Sequence, residues 1–214
     1  MSPMTRWLCI VLAVCAAPAT LAKGSAEAGA TKTAVCLACH GASGNSVNPV
    51  WPSLAGQNPA YLSEQLKAFR STARINSAGL MTGIAGALSD QDIEDLAAYY
   101  SQQTPAGQEA DPSTVQSGEN LYRGGDRERN IPACTACHGP VGLGNPAAAY
   151  PALRAQHAEY VAKELNDYAT GQRYAKNAKG ETQGDSNAVI MDAIAARLTI
   201  NDMKSLASYV QGMR

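Results

Sequence analysis

The motif Cys36-Leu37-Ala38-Cys39-His40-Gly41 (CLACHG) returns almost unchanged as Cys134-Thr135-Ala136-Cys137-His138-Gly139 (CTACHG), and this repeat indicates the organisation of the chain. Each copy has two cysteines at positions i and i+3 and a histidine directly after the second cysteine. Such a motif can be half of a zinc site, a redox-active thiol pair, a disulfide or an attachment point for haem.

The similarity between the two halves extends well beyond these motifs. Trp51–Gln57 (WPSLAGQ) matches Tyr150–Gln156 (YPALRAQ) at an offset of 99 residues, and Met81–Tyr99 matches Met191–Tyr209 at an offset of 110. The 11-residue difference places an insertion in the second copy, within Arg173–Ala188. A match sustained in this way indicates a tandem duplication.

The chain divides into four parts. Residues 1–22 resemble a secretory signal, because Arg6 precedes the apolar run Trp7–Ala17 and small residues follow it. That run of eleven residues is too short for a membrane span, which needs about 20. We predict a first domain at 23–107, a linker core at 108–112 and a second domain at 113–214. Export predicts a periplasmic location and an oxidising environment for the thiols.

Each unit is predicted to be all-α. Leu62, Leu66 and Phe69 recur at helical spacing after Asn58-Pro59, a suitable helix start. A Ser89/Asp92 pair and a Thr199/Asp202 pair have the spacing of capping boxes before the last helix of each unit. Period-two runs of valine and isoleucine are missing from the sequence, so no sheet is expected.

Covalent haem explains the motif best. A single zinc site would have to join Cys39 to Cys134 across 94 residues, against about 15 to 20 in a compact zinc module. A thioredoxin-like pair needs a βαβ context, and two plain disulfides remain the simplest alternative for an exported protein. Cysteines at i and i+3 reach the two vinyl groups of a porphyrin, and the adjacent histidine binds its iron. We therefore predict two covalently bound haem c groups, on Cys36 and Cys39 and on Cys134 and Cys137.

Elimination indicates the sixth iron ligand. Beyond His40 and His138 the chain has only His157, which falls opposite Asn58 and is predicted to be a helix cap or surface residue. The first unit without its signal has one methionine, Met81, and the repeat maps it onto Met191. We predict His40 with Met81, and His138 with Met191, as axial ligands.

The ligand histidines also need an acceptor for their second ring nitrogen. The main-chain carbonyls of Pro52 and Pro151 are our candidates, and the alternative is that these prolines only turn the chain. Methionine as the sixth ligand leaves no open coordination position on the iron, which favours electron transfer over an enzymatic reaction. A formal net charge of −1 gives no indication of nucleic-acid binding.

These motifs resemble those of class I cytochromes c: CxxCH, then Pro-x-Leu-x-Gly at Pro52–Gly56, then a lone methionine before a helix ending in LAAYY. Two such units in one exported chain resemble the dihaem cytochrome c4 family. The resemblance implies two lobes about a pseudo-twofold axis, with haem propionates near the interface. Ala155 in place of Gly56 and the insertion before Met191 depart from the pattern.

The resemblance also implies a role: shuttling single electrons in the periplasm toward a haem-copper terminal oxidase. The expected partners are redox proteins, an electron-donor complex and the oxidase, with peripheral membrane association if the N-terminal segment is retained. One alternative is the cytochrome subunit of a flavocytochrome c sulfide dehydrogenase. Another is a dihaem peroxidase or sulfur-oxidising enzyme, which would need an open or differently ligated iron.

Overall fold

The computed structural model describes residues 24–76 and 79–213, so the predicted signal segment lies outside the described residues. Ten α-helices form in the described ranges, and the only β-pairing there consists of isolated bridges. The prediction of an all-α fold is confirmed. The helices are α1 (Ala26–Ala30), α2 (Ala34–His40), α3 (Pro59–Arg70), α4 (Leu80–Gly86), α5 (Asp90–Ser101), α6 (Val115–Gly124), α7 (Thr135–His138), α8 (Ala158–Ala169), α9 (Ser186–Ala195) and α10 (Ile200–Gly212).

The helices form two lobes of five, with α1–α5 in the first lobe and α6–α10 in the second. In each lobe the first and last helices cross closely, and a glycine lies at the crossing. A Cβ atom on Gly29 would lie 2.1 Å from the carbonyl oxygen of Asp95, and one on Gly118 would lie 2.0 Å from that of Ser205. Only glycine allows backbones to approach this closely, so the duplication preserves the same crossing twice.

Local signals place the other helices. Ser89 with Asp92 and Thr199 with Asp202 form complete capping boxes at the starts of α5 and α10. Pro59 begins α3, as expected of proline in a first helical turn. Apolar faces of the helices then form the core, with α5, α6 and α10 contributing its most buried side chains.

The lobes meet along a pseudo-twofold interface in which residues 73–75 face residues 173–175. The amide of Ile75 donates to the carbonyl of Arg173 at 2.9 Å, and the amide of Ala175 donates to the carbonyl of Ala73 at 2.8 Å. We call Arg74 and Arg173 the inter-lobe arginines. Each reaches a tyrosine of the opposite lobe, at 3.0 Å from Arg74 to Tyr160 and 2.8 Å from Arg173 to Tyr61.

Both departures from the family pattern have a structural explanation. Ala155 adopts a left-handed backbone with φ of 55°, close to the 66° of Gly56, so the turn is the same in both lobes. A Cβ atom on Gly56 would lie 2.6 Å from Cγ of Pro105, which explains glycine in the first lobe. The insertion forms a loop closed by a bridge between Lys176 and Thr182, and it buries Tyr174 against the first lobe.

Candidate haem sites

One connected cavity extends through both lobes and is lined mainly by apolar side chains. It contains every site residue predicted from the sequence. These are Cys36, Cys39, His40, Pro52, Met81, Cys134, Cys137, His138, Pro151 and Met191. Residues that are far apart in sequence are therefore brought to the same walls.

The CxxCH motifs lie on short helices that end at the histidine. Helix α2 ends at His40 and α7 ends at His138, each followed by a glycine with φ near 78°. That conformation is unfavourable for other residues, so Gly41 and Gly139 let the chain turn away directly after the histidine. The cysteines at i and i+3 face the same side, and all four are half-buried.

The histidines are oriented by the predicted proline carbonyls. Nδ1 of His40 lies 2.7 Å from the carbonyl oxygen of Pro52, and Nδ1 of His138 lies 3.0 Å from that of Pro151. A carbonyl can only accept, so each Nδ1 carries the proton and Nε2 has a free lone pair. Burial lowers the pKa of both histidines, which favours the neutral ring that binds metals.

The two predicted methionines lie on equivalent helices. Met81 is in the first turn of α4, where its amide donates to Asn76 Oδ1 at 2.8 Å, and Met191 is on the longer α9. Both line the cavity that the histidines enter. Met203 instead packs on α10 and is 3% exposed, so it is a core residue, as its alignment with the buried Ile93 predicts.

The prediction of His157 as a helix cap or surface residue is met by its position but not by its side chain. It occupies the N-cap position of α8, but its side chain makes no capping bond and is 7% exposed. Its Nε2 bonds to the carbonyl of Ser46 in the first lobe at 2.8 Å. The equivalent Asn58 likewise bonds across to the carbonyl of Tyr150. The surface of the first lobe buries His157, and the sequence around His157 does not reveal that surface.

Sequence reasoning also missed two inter-lobe glutamines. Gln57 and Gln156 are 8% exposed and each bonds to the main chain of the opposite lobe, next to Pro151 and Pro52 respectively. The sequence contained one indication of this role, because both positions are glutamine at the repeat offset of 99 residues. A glutamine in a polar loop is nevertheless usually predicted to be a surface residue.

The zinc alternative lacks a suitable group of ligands. Among residues 24–76 and 79–213, no three His, Cys, Asp or Glu side chains lie close enough together to hold a metal ion. The buried histidines, paired thiols and apolar walls instead suit a large porphyrin attached through its vinyl edge.

A cytochrome c family model matches residues 26–104 and 115–214, one match in each lobe. Cytochrome c4 of Azotobacter vinelandii is 45% identical over 199 residues, which cover 90% of each chain. The chain belongs to the cytochrome c4 family. A crystal structure of reduced recombinant cytochrome c4 from Pseudomonas stutzeri matches with a TM-score of 0.78 and 44% identity, covering 89% of this chain and 100% of that one. A thiosulfate dehydrogenase electron acceptor of Thiomonas intermedia is 37% identical, covering 91% of this chain and 83% of that protein.

This membership confirms the cofactors and the general role. The chain is a dihaem c-type cytochrome with two covalently bound haem c groups, and it carries electrons rather than catalysing a reaction. Within the described residues, none of the helices has the length and hydropathy of a membrane span.

Proposed function

We propose that this cytochrome carries single electrons in the periplasm between a respiratory donor complex and a haem-copper terminal oxidase. Both irons are six-coordinate in this proposal. The haems are attached at Cys36 and Cys39 and at Cys134 and Cys137, with His40 and Met81 and with His138 and Met191 as axial ligands. The observation that carries the proposal is the matched orientation of both histidines, each holding Nδ1 on a proline carbonyl.

Each ligand contributes to this role through its chemistry. The haem iron supplies a one-electron Fe(III)/Fe(II) couple when bound. A thioether sulfur is soft and favours Fe(II), so Met81 and Met191 raise the reduction potential. The prolines fix the tautomer and ring orientation of the histidines, and the apolar walls around them limit access of water.

The predicted domains support two haem-binding units in one chain. The family-model matches at 26–104 and 115–214 lie inside the proposed domains at 23–107 and 113–214. The stretch between α5 and α6 is irregular from residue 102 to residue 114 and includes the proposed linker core. Export is supported by the signal-like residues 1–22.

An absorption spectrum of the ferric protein, purified from its native periplasm with haem quantified per chain, tests the ligand assignment. We expect two covalent haems, and a sulfur-to-iron band whose intensity accounts for both. A Met203→Ala variant should keep this band, because Met203 is a core residue. A band that is weak or missing in the natural protein would contradict methionine ligation and would favour an iron that binds substrates.

Mixing the reduced protein with membranes that contain a haem-copper oxidase tests the electron acceptor. We expect cyanide-sensitive reoxidation that is faster than reoxidation by dissolved oxygen alone. Equal rates with and without the membranes would contradict the oxidase as a partner.

A second candidate donor is a dehydrogenase on a separate chain. Its support is the Thiomonas intermedia relative, which is named as an electron acceptor of thiosulfate dehydrogenase. The cytochrome subunit of a flavocytochrome c sulfide dehydrogenase belongs to the same class of role. Co-purification with a flavoprotein would favour the flavocytochrome, whereas rapid reduction by a thiosulfate dehydrogenase without flavin would favour the thiosulfate enzyme.

A further inference from the structure

The two inter-lobe glutamines make the same three hydrogen bonds on opposite sides of the interface. Gln156 Oε1 accepts from the amides of Ser53 at 2.9 Å and of its own neighbour His157 at 3.0 Å, while Nε2 donates to the carbonyl of Ser53 at 2.9 Å.

Gln57 repeats the arrangement in the other direction. Its Oε1 accepts from the amides of Ala152 at 2.7 Å and Asn58 at 2.8 Å, and its Nε2 donates to the carbonyl of Ala152 at 2.9 Å. The buried side-chain amides of Gln57 and Gln156 therefore connect the lobes by bonding to main-chain atoms of the opposite lobe. These contacts do not depend on the side chains of the opposite lobe.

The main-chain atoms involved are those next to the axial histidines. The amide N–H of Ser53 and the carbonyl of Pro52 belong to one peptide group. Gln156 accepts from one end of this group, and His40 Nδ1 donates to the other end at 2.7 Å. In the second lobe, the peptide group between Pro151 and Ala152 links Gln57 to His138 Nδ1 in the same way.

Hydrogen bonds in such a chain strengthen one another. When the peptide N–H donates to a glutamine oxygen, the group becomes more polarised and its carbonyl becomes a stronger acceptor. A stronger acceptor on Nδ1–H raises the basicity of the ligand histidine. A more basic histidine donates more charge to the iron and stabilises Fe(III), which lowers the reduction potential.

We propose that each inter-lobe glutamine is a positioning residue for the haem of the opposite lobe. Gln156 adjusts the iron bound by His40, and Gln57 adjusts the iron bound by His138. The proposal rests on ligation by these histidines, which is part of the proposed function. Each half of the duplicated chain thereby sets the ligand strength in the other half.

Matched variants Gln156→Met and Gln57→Met test the proposal, because methionine keeps the length of the side chain but loses its amide. The potentials would be followed by a redox titration monitored by NMR, in which haem-methyl resonances report each lobe separately. In Gln156→Met we expect only the first-lobe haem to become easier to reduce, by at least threefold in its reduction equilibrium constant, about 28 mV at 59 mV per tenfold. Gln57→Met should shift only the second-lobe haem.

Two further variants separate the hydrogen-bonded chain from a merely loosened interface. His157→Ala removes an inter-lobe bond that is not part of the hydrogen-bonded chain from Gln156 to His40. The reduction potentials of both haems should therefore stay unchanged. Gln156→Glu keeps the oxygen that accepts from Ser53, so the first-lobe potential should stay level or fall. In the reduced protein, the Nδ1–H resonance of His40 should move upfield in Gln156→Met and stay in place in His157→Ala.

The outcomes distinguish this inference from the proposed function. If Gln156→Met shifts both haems equally, shifts its own lobe's haem or shifts neither, while the sulfur-to-iron band stays intact, the cross-lobe effect is refuted. If the natural protein shows no histidine ligation at one of the haems, the proposed function fails there and the inference falls with it.

Discussion

Replacing Gly118 by alanine should separate the two helices that hold the second lobe together. A Cβ atom at this position would lie 2.0 Å from the carbonyl oxygen of Ser205 on α10, whereas ordinary contacts begin at 3.4 Å. The helices must therefore move apart by about 1.4 Å, the difference between these two distances. The atoms that the added Cβ would meet are backbone atoms of Ser205 and Cβ of Tyr209, so no flexible side chain can absorb the movement.

The separation affects the core of the lobe. Side chains of α6 and α10, among them Leu121, Tyr122, Leu206 and Val210, form one buried cluster. Gaps of about 0.5 to 1 Å already lose a quarter to a half of a van der Waals contact. Overpacking costs about 1 to 3 kcal/mol, and we place this case near 3 kcal/mol because backbone atoms collide. A lobe of this size loses about 4 to 8 °C of thermal midpoint per kcal/mol, so the midpoint of thermal unfolding should fall by roughly 12 to 24 °C.

Gly124→Ala is the matched control, because Gly124 lies on the same helix and a Cβ atom added there would meet no other atom within 4 Å. It should change the free energy of unfolding by less than about 1 kcal/mol, with a slight gain from helix propensity. Both variants would be unfolded by heat and in urea, with helical circular dichroism and haem absorbance recorded together. A Gly118→Ala protein that is as stable as Gly124→Ala would refute the close crossing.

Three other predictions concern ligation and charge. Met191→Ala should lower the potential of the second haem and create a site that binds cyanide, visible as a spectral titration with one equivalent per chain. Glu164→Gln should lower the free energy of unfolding by about 3 kcal/mol, because Glu164 neutralises the inter-lobe arginines in a buried position. Glu119→Gln, which breaks an exposed ion pair, should lower it by less than about 1 kcal/mol in the same urea assay. Partial desolvation of the largely exposed Glu64 carboxyl and the neighbouring Asp185 raise the pKa of Glu64 from 4.5 to about 7. Between pH 4.5 and about 7 the folded state therefore binds more protons than the unfolded state, so stability should fall as pH rises through that window. In Glu64→Gln the urea midpoint should change less with pH across the same window.

The sequence was sufficient for features that depend on local pattern. Capping boxes at Ser89 and Thr199 predicted where the last helices begin, because the bonds involved join residues three apart. The duplication and the CxxCH motifs predicted two haem c groups, because covalent attachment needs that spacing. Even Pro52 and Pro151 could be proposed as acceptors from chemistry alone, since proline retains its carbonyl.

The interface between the lobes could not be predicted in this way. His157 and the inter-lobe glutamines are polar residues in loops, and their burial comes from a surface roughly a hundred residues away. Local periodicity carries no information about such a surface. The repeat did contain an indirect signal, since identical glutamines at equivalent positions would be expected if both made the same contact across a pseudo-twofold axis.

That symmetry explains how a polar interface can fix the arrangement of two lobes. An apolar contact tolerates small rotations, whereas hydrogen bonds weaken steeply when their angles change. Here two kinds of bond across the interface have a counterpart on the other side: those of Gln57 with those of Gln156, and the arginine bond to Tyr61 with that to Tyr160. A tilt of one lobe that shortened a bond on one side would lengthen its counterpart on the other side, so the two sets together restrict the orientation of the lobes. Because one cavity passes through this interface and contains both CxxCH motifs, the bonds that dock the lobes also set the relative position of His40 and His138, the residues that would hold the two irons.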